Sequence, residues 1–264
     1  MQNRIAGKKI IITGASSGIG ERIAWQIAEN GGIPIMVARS INKLKNQQMQ
    51  IKKVCQVDSY AYQADLLNQK ELVNVINQII SDHTQIHGLI NNAGAAVFDY
   101  VRNMLWSDVE QMFQLNVFAL MQGTKCLLPH FMQHNEGHII NVASQAGKIA
   151  TPKAAVYAAT KHAVLGFTNS LRLETTEYNI RVTSVNLGPV NTNFFAGADP
   201  TGDYQKNIER YMLNPDKVAV KVVKALFTDK REINLPGWME LGSKLYHLFP
   251  RALERLLKKQ FDKK

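Results

Sequence analysis

Apolar and polar positions follow two rhythms along the chain. "KKIIITG" is a short β-branched run ending in glycine, which predicts a buried strand. Ile19, Ile23, Ile27 and Ala28 then recur at helical spacing over residues 18–30, and Gly31-Gly32 stops that helix. "IPIMVAR" predicts a second strand, followed by a helix over 40–54 with Ser40 as its N-cap. "SYAYQAD" predicts a third strand, with a helix from Asn68 to Ser81 behind it. "HGLINNAG" predicts a fourth strand and loop, then a long helix from Ser107 to Gln133. "GHIINVAS" is the fifth strand, 154–178 the next helix and "IRVTSVNLG" the sixth strand. Beyond Pro189 the alternation loosens over 190–213. A helix over Pro215–Thr228 and the short "REINLP" follow.

Strand and helix alternate throughout, so the expected fold class is α/β, a doubly wound parallel sheet with helices on both faces. No repeat, low-complexity block or linker divides the 264 residues, which predicts a single domain over 1–235. With 45% hydrophobic and 20% charged residues, the chain can fill a core of that size. No apolar run reaches the roughly 18 residues that span a bilayer. The N-terminus lacks the apolar stretch of a secretory signal. Cys55 and Cys126 stand far apart, which suits a reducing cytoplasm and makes neither a disulfide framework nor a zinc pattern.

"TGASSGIG", from Thr13 to Gly20, joins the first strand to the first helix. A glycine turn feeding a helix N-terminus can hold phosphate, because glycine permits close backbone approach and the helix end offers unpaired N–H groups. The spacing is GxxxGxG, neither GxGxxG nor a P-loop, and a tight turn without a ligand is the plainer alternative. "NNAG" (Asn91–Gly94), "NVAS" (Asn141–Ser144) and "LGPVNT" (Leu187–Thr192) each close a predicted strand, and "YAATK" (Tyr157–Lys161) lies in the helix after the fifth. Open parallel sheets bind ligands at that carboxyl edge. Tyr157 and Lys161, four apart on a helix, share one face. An ammonium beside a phenol favours the phenolate, which is the expectation for this pair.

In these motifs, their order and their spacing, residues 7 to about 235 resemble the short-chain dehydrogenase/reductase family, whose fold is a Rossmann-type sheet. One motif departs in form: Gly188 precedes Pro189 where the family usually has Pro-Gly. The resemblance implies an oxidoreductase that moves a hydride between a nicotinamide dinucleotide and a carbonyl or secondary alcohol. It implies that Tyr157 is the general acid/base, that Lys161 bonds the nicotinamide ribose, and that Ser144 donates to the developing alkoxide. It further implies that Asn116 of "QLNVFAL" holds a water relaying protons to the lysine. Gly14, Ser16, Ser17, Gly18, Ile19 and Gly20 would cradle the pyrophosphate. Asp65 and Leu66 would meet the adenine, Asn92, Ala93 and Gly94 the adenine ribose side, and Pro189, Val190 and Thr192 the nicotinamide and pyrophosphate. The second strand ends in Ala38-Arg39-Ser40, without the carboxylate that binds a ribose 2′-OH. Arg39 can grip a 2′-phosphate, so NADP(H) is expected over NAD(H).

The family's variable substrate loop falls at 193–213, with Phe194, Phe195, Tyr204, Tyr211 and Met212. Gln145 follows the serine, and Ala95–Phe98 follow Gly94. These predict an apolar lining for a hydrophobic ketone or aldehyde, with Ser144, Gln145, Tyr157, Phe194 and Phe195 touching substrate. His130, His134 and His138 recur every four residues, but Gly137 breaks the helix between them. A polar helix end is expected, with no metal.

The net charge is +10, of which +4 lies between Arg231 and Lys264, where eight Lys/Arg face four Asp/Glu. A solvated tail, an anionic membrane and phosphorylated ligands all accommodate this charge. Nucleic acid does not, for want of a stacking or helix-turn-helix motif. The extension over 236–264 carries Leu245, Leu248 and Phe249 on one apolar face. After Pro250 it carries Leu253, Leu256, Leu257 and Phe261 among Arg251, Arg255, Lys258 and Lys259. Such a basic amphipathic segment packs on a partner subunit, caps the pocket or lies on a membrane. Packing or capping is the expectation, in a cytoplasmic homodimer or homotetramer joined by the helices at 107–133 and 154–178. The rival from another class is a protein that senses NADP(H) without turnover.

Overall fold

The computed structural model describes residues 4–199 and 202–261, apart from the side chains of 203, 204 and 257–261. The expectations for Tyr204, Leu257, Lys258, Lys259 and Phe261 therefore lie outside the described residues.

Seven parallel strands form one sheet in the order β3-β2-β1-β4-β5-β6-β7. They are β1 (Lys9–Thr13), β2 (Ile33–Ala38), β3 (Tyr60–Gln63), β4 (Gly88–Asn91), β5 (Gly137–Val142), β6 (Ile180–Leu187) and β7 (Glu232–Leu235). The β-branched runs read from the sequence lie in the middle of this sheet, where both faces are covered. Successive side chains of a strand point to opposite faces. Thus Ile10 and Ile12 join one apolar cluster with Ile23, Ile27, Val218 and Val222. Ile11 joins another, with Leu72, Ile76, Leu127 and Phe131. The first cluster rests on α1 (Gly18–Glu29), α2 (Ile41–Cys55) and α9 (Pro215–Ala225). The second rests on α3 (Gln69–Asp82), α5 (Ala119–His134) and α6 (Ala155–Glu174).

Asn68 caps α3 by accepting from the amides of Lys70 and Glu71. Asn214 caps α9 in the same way, ahead of Pro215. Ser40 stands at the N-cap of α2, but its hydroxyl caps nothing. The helix read over 107–133 is two helices. α4 (Trp106–Phe113) passes into α5 through a π-helical stretch, Gln114–Phe118, which carries Asn116. π-helical turns are rare and occur mostly as single turns inside α-helices, and the sequence pattern did not reveal this one. α6 ends at Glu174, and Thr176–Tyr178 form a separate 3-10 turn. The loose stretch after Pro189 holds two short helices, α7 (Phe194–Ala198) and α8 (Asp203–Ile208). The extension is a helix pair, α10 (Gly237–Leu248) and α11 (Pro250–Phe261), broken at Pro250.

His138, past the break at Gly137, is fully buried on β5, with Nε2 2.9 Å from Thr183 Oγ1. His130 accepts from the Ile86 amide, and His134 Nδ1 meets the His130 carbonyl. Among the described residues no His/Cys/Asp/Glu cluster could hold a metal ion.

Candidate active site

The chain order reverses between β1 and β4, and this opens a crevice at the carboxyl edge of the sheet. The glycine turn after β1 forms one wall. Gly14 sits at φ +66°, in the left-handed region that glycine adopts without strain. A Cβ at Gly20 would come 2.4 Å from the Gly14 carbonyl and 2.5 Å from Asn92 Nδ2, so only glycine fits there. Gly18 faces Thr192 across the crevice at ordinary contact distance. Ser17 is the N-cap of α1 but supplies no side-chain cap, which leaves the first amides of α1 open to an anion. A bare cradle at a helix N-terminus is what a pyrophosphate needs, so the residues fit a dinucleotide. Ser16 is half-buried in the same turn and Ile19 leans on the core behind it.

The Asn92 amide donates to the carbonyls of Thr13 (3.0 Å) and Gly14 (3.4 Å), so the side chain braces the glycine turn. Thr13 completes the brace: its hydroxyl accepts from the amides of Asn92 (3.0 Å) and Ala93 (3.1 Å). Sequence reasoning passed over Thr13, although a hydroxyl ending a buried strand was the available signal. Asp65 accepts from the Leu67 amide, and Leu66 buries its side chain in the core, leaving only its backbone at the edge. Arg39 is exposed at the end of β2, with no polar partner among the described residues, and Ser40 is half-buried beside it. Pro189 and Val190 are held against Leu213 in a short parallel bridge, next to Thr192.

The second wall gathers the predicted chemical groups. Ser144 lies two residues past β5 and caps a 3-10 turn, Gln145–Gly147, accepting from the Ala146 amide at 3.0 Å. Its hydroxyl donates to the Leu187 carbonyl at 3.2 Å. Tyr157 and Lys161 project from α6. Lys161 is buried, donates to the Val142 carbonyl at 3.0 Å, and lies 5.7 Å from the Tyr157 ring centre. Burial lowers its pKa to about 8. Burial also pushes the Tyr157 phenol up to about 12, against an opposing pull from the Ser144 hydroxyl. In the chain alone desolvation sets the direction for the phenol, and the ammonium bonds the Val142 carbonyl.

Asn116 is fixed on three sides. Its carbonyl accepts from the Ala95 amide at 2.8 Å. Its amide donates to the Ala95 carbonyl at 2.8 Å and to Thr160 Oγ1 at 3.1 Å. Thr160 is a second residue the sequence reading missed. A Cβ at Gly94 would stand 3.1 Å from Asn116 Oδ1 and 3.7 Å from Lys161 Nζ. The glycine thus keeps clear the space between those two groups.

Aromatic rings surround Tyr157. Phe98 meets it edge-on at 5.7 Å and Phe194 lies at 6.2 Å, while Phe195 packs on both phenylalanines. The Phe98 amide donates to the Ala198 carbonyl, which ties the loop after β4 to the substrate loop. Gln145 is buried, and its amide donates to the Asn186 carbonyl on β6.

Comparison with known proteins agrees with this geometry. The family model described as short chain dehydrogenase matches residues 8–202. An NADP-dependent 3-hydroxy acid dehydrogenase of Schizosaccharomyces pombe is 35% identical, over 85% of this chain and 88% of its own. A short-chain dehydrogenase from Sphingobium yanoikuyae, solved in complex with NADPH, superposes with a TM-score of 0.80 at 26% identity. That match covers 92% of this chain and 96% of the other. A Burkholderia phymatum short chain dehydrogenase/reductase bound to NAD gives 0.83 at 20% identity, over 94% and 96% of the two chains, a likeness of fold alone.

Proposed function

The chain belongs to the short-chain dehydrogenase family and is an oxidoreductase, and on that premise we propose that it interconverts a hydrophobic ketone or aldehyde and its alcohol, using NADP(H). The observation that carries this reading is the meeting of Ser144, Tyr157, Lys161 and Asn116 beside a bare glycine cradle. Gly14, Gly18, Gly20 and the open end of α1 would hold the dinucleotide phosphates, with Thr192 opposite. Pro189 and Val190 would lie at the nicotinamide end, and Asp65 and the backbone of Leu66, Ala93 and Gly94 at the adenosine end. The bound cofactor supplies or accepts the hydride.

The chain's own groups manage the oxygen and its proton. A phenol held at about 12 keeps its proton at neutral pH, so Tyr157 can give it to the carbonyl oxygen as charge develops there. The Ser144 hydroxyl donates to that same oxygen. Lys161, buried and bonded to Val142, orients the groups around the gap that Gly94 leaves. Asn116 borders that gap with a carbonyl oxygen that has a second lone pair to offer a relay water. Phe98, Phe194 and Phe195 shield the site from water and favour apolar substrates.

Arg39, solvated at the end of β2 where no carboxylate stands, supports NADP(H): it can pair with a 2′-phosphate. The S. pombe relative's NADP dependence supports the same choice. Residues 1–235 make up the catalytic unit in this reading, and 236–264 an appendage. A second copy of the chain docks on α4 and the π-helical stretch, where Trp106 and Phe118 are exposed. No helix among the described residues is long and apolar enough to cross a membrane. α10 and the start of α11 instead expose Leu241, Leu245, Leu248, Phe249 and Leu256 outward, next to exposed Arg251 and Arg255. That face suits an anionic bilayer surface better than a second copy, because two basic faces repel.

The test is oxidation of NADPH and of NADH, followed by absorbance, across aliphatic and aromatic ketones, aldehydes, steroids and hydroxy acids. NADPH-linked turnover of apolar carbonyls, with Arg39→Ala losing the preference for NADPH, is the expected result. NADH-linked turnover that is indifferent to Arg39 would overturn the cofactor assignment.

A further inference from the structure

Lys148 lies four residues beyond Ser144, just past the 3-10 turn that the serine caps, and its side chain is only 13% exposed. Its ammonium meets three acceptors: Glu232 Oε2 at 2.7 Å, Glu240 Oε2 at 2.8 Å and Asn234 Oδ1 at 3.1 Å. Three donors thus find three partners, two on β7 and one on α10. Burial works to raise the Glu232 pKa, and the Lys148 bond and charge outweigh it, holding the carboxyl below its ordinary range.

The turn that Lys148 anchors is packed tightly on the catalytic helix. A Cβ at Gly147 would stand 2.8 Å from the Lys161 carbonyl, so turn and α6 are in backbone contact. A shift of the turn would therefore move Ser144 relative to Tyr157 and Lys161. The first turn of α10 touches the other loops of the site too. Trp238 lies 6.2 Å from Tyr211 at the end of the substrate loop. Met239 Sδ lies 2.9 Å from where a Cβ of Gly188 would be, against the turn leading to Pro189. Three consecutive residues, Trp238, Met239 and Glu240, thus face the substrate loop, the Gly188-Pro189 turn and the serine turn.

We propose that Lys148 is a positioning residue for Ser144, and that through it the first turn of α10 is a working part of the active site. This rests on the oxidoreductase reading above. The extension is then more than an appendage: it sets the distance between the serine hydroxyl and the tyrosine. Replacing Lys148 by methionine leaves two carboxylates facing each other at a site built for one ammonium, and they must separate.

The experiment compares wild type, Lys148→Met, Lys148→Arg and Glu240→Gln, with active sites counted by NADPH binding. Lys148→Met is expected to lower kcat about tenfold while NADPH affinity stays within about twofold, and Lys148→Arg to recover most of the loss. An unchanged kcat per NADPH-binding site, alongside a lower Tm, would overturn the proposal, since a merely structural ion cluster behaves that way. Where Lys148→Met does not fold, Glu240→Gln carries the test, with the same split between kcat and NADPH affinity expected. A wild type without turnover counts against the oxidoreductase reading instead. Hydrogen exchange then decides the positioning role: faster exchange at the Gly147, Lys148 and Ile149 amides in the variants supports it, and an unchanged rate overturns it.

Discussion

Two glycine-to-alanine substitutions separate a glycine the site requires from one it does not. At Gly20 the added Cβ would lie 2.4 Å from a backbone carbonyl and 2.5 Å from Asn92 Nδ2. Neither neighbour can yield cheaply. The carbonyl belongs to the Gly14 turn, and the Asn92 amide is held by bonds to Thr13 and Gly14. Moving them by about 1 Å overpacks a filled site, at about 1–3 kcal/mol. Losing the two bonds adds about 1 kcal/mol each. Alanine returns about 1 kcal/mol of helix propensity. The balance is a loss of about 2–4 kcal/mol, with the glycine turn displaced from its cradle. Gly166, exposed on α6 with nothing within 4 Å of its Cβ position, carries only the propensity term. Gly166→Ala is expected to gain up to about 1 kcal/mol. Urea denaturation gives both stabilities, and NADPH titration followed by fluorescence gives the affinities. Gly20→Ala should lose stability and NADPH affinity together, while Gly166→Ala keeps its affinity. A Gly20→Ala protein as stable and as tight-binding as wild type would refute the cradle.

His138 should make stability depend on mildly acid pH. Burial lowers its folded pKa to about 3 from an ordinary 6.5, so between those values the unfolded chain binds the extra proton. Stability then rises with pH across that window and falls on acidification, and replacing His138 with glutamine should flatten that limb of the Tm–pH curve. Lys161 acts on the alkaline side. Its folded pKa near 8 lies below the ordinary 10.5, so stability should rise between those values, and Lys161→Met should abolish the rise. For the outward apolar face, Leu245→Glu with Leu248→Glu should abolish co-sedimentation with phosphatidylglycerol vesicles while leaving binding of NADPH intact. Equal sedimentation of variant and wild type would remove the membrane reading.

Most of the sheet was legible because its signals are local. "KKIIITG" and "GHIINVAS" could only be buried strands, and the glycine and asparagine punctuation gave their ends. The motif residues at the sheet's edge were legible for the same reason, since a strand's carboxyl end is a place the sequence marks. What stayed hidden depends on partners distant in sequence. The brace on the glycine turn joins Asn92 to Thr13, 79 residues away. The Gln145 amide finds its acceptor on β6, 41 residues away. The π-helical stretch carries Asn116 to its bonds with Ala95 and Thr160, which no periodicity reports. Within the chain, Leu241, Leu245 and Leu248 of α10 face outward while Met239 and Glu240 make the contacts with the body. An amphipathic pattern names a helix's two faces but not which one the fold covers.

The central claim, that Tyr157 gives its proton to a carbonyl at this site, is tested most directly by comparing NADPH-linked carbonyl reduction in wild type and Tyr157→Phe. The substitution removes one hydroxyl and keeps the ring that packs on Phe98 and Phe194. Loss of general acid catalysis should lower kcat by about 10²–10⁴-fold, with stability and NADPH binding unchanged. A Tyr157→Phe protein that reduces the same carbonyl at the wild-type rate would contradict the assignment of the acid.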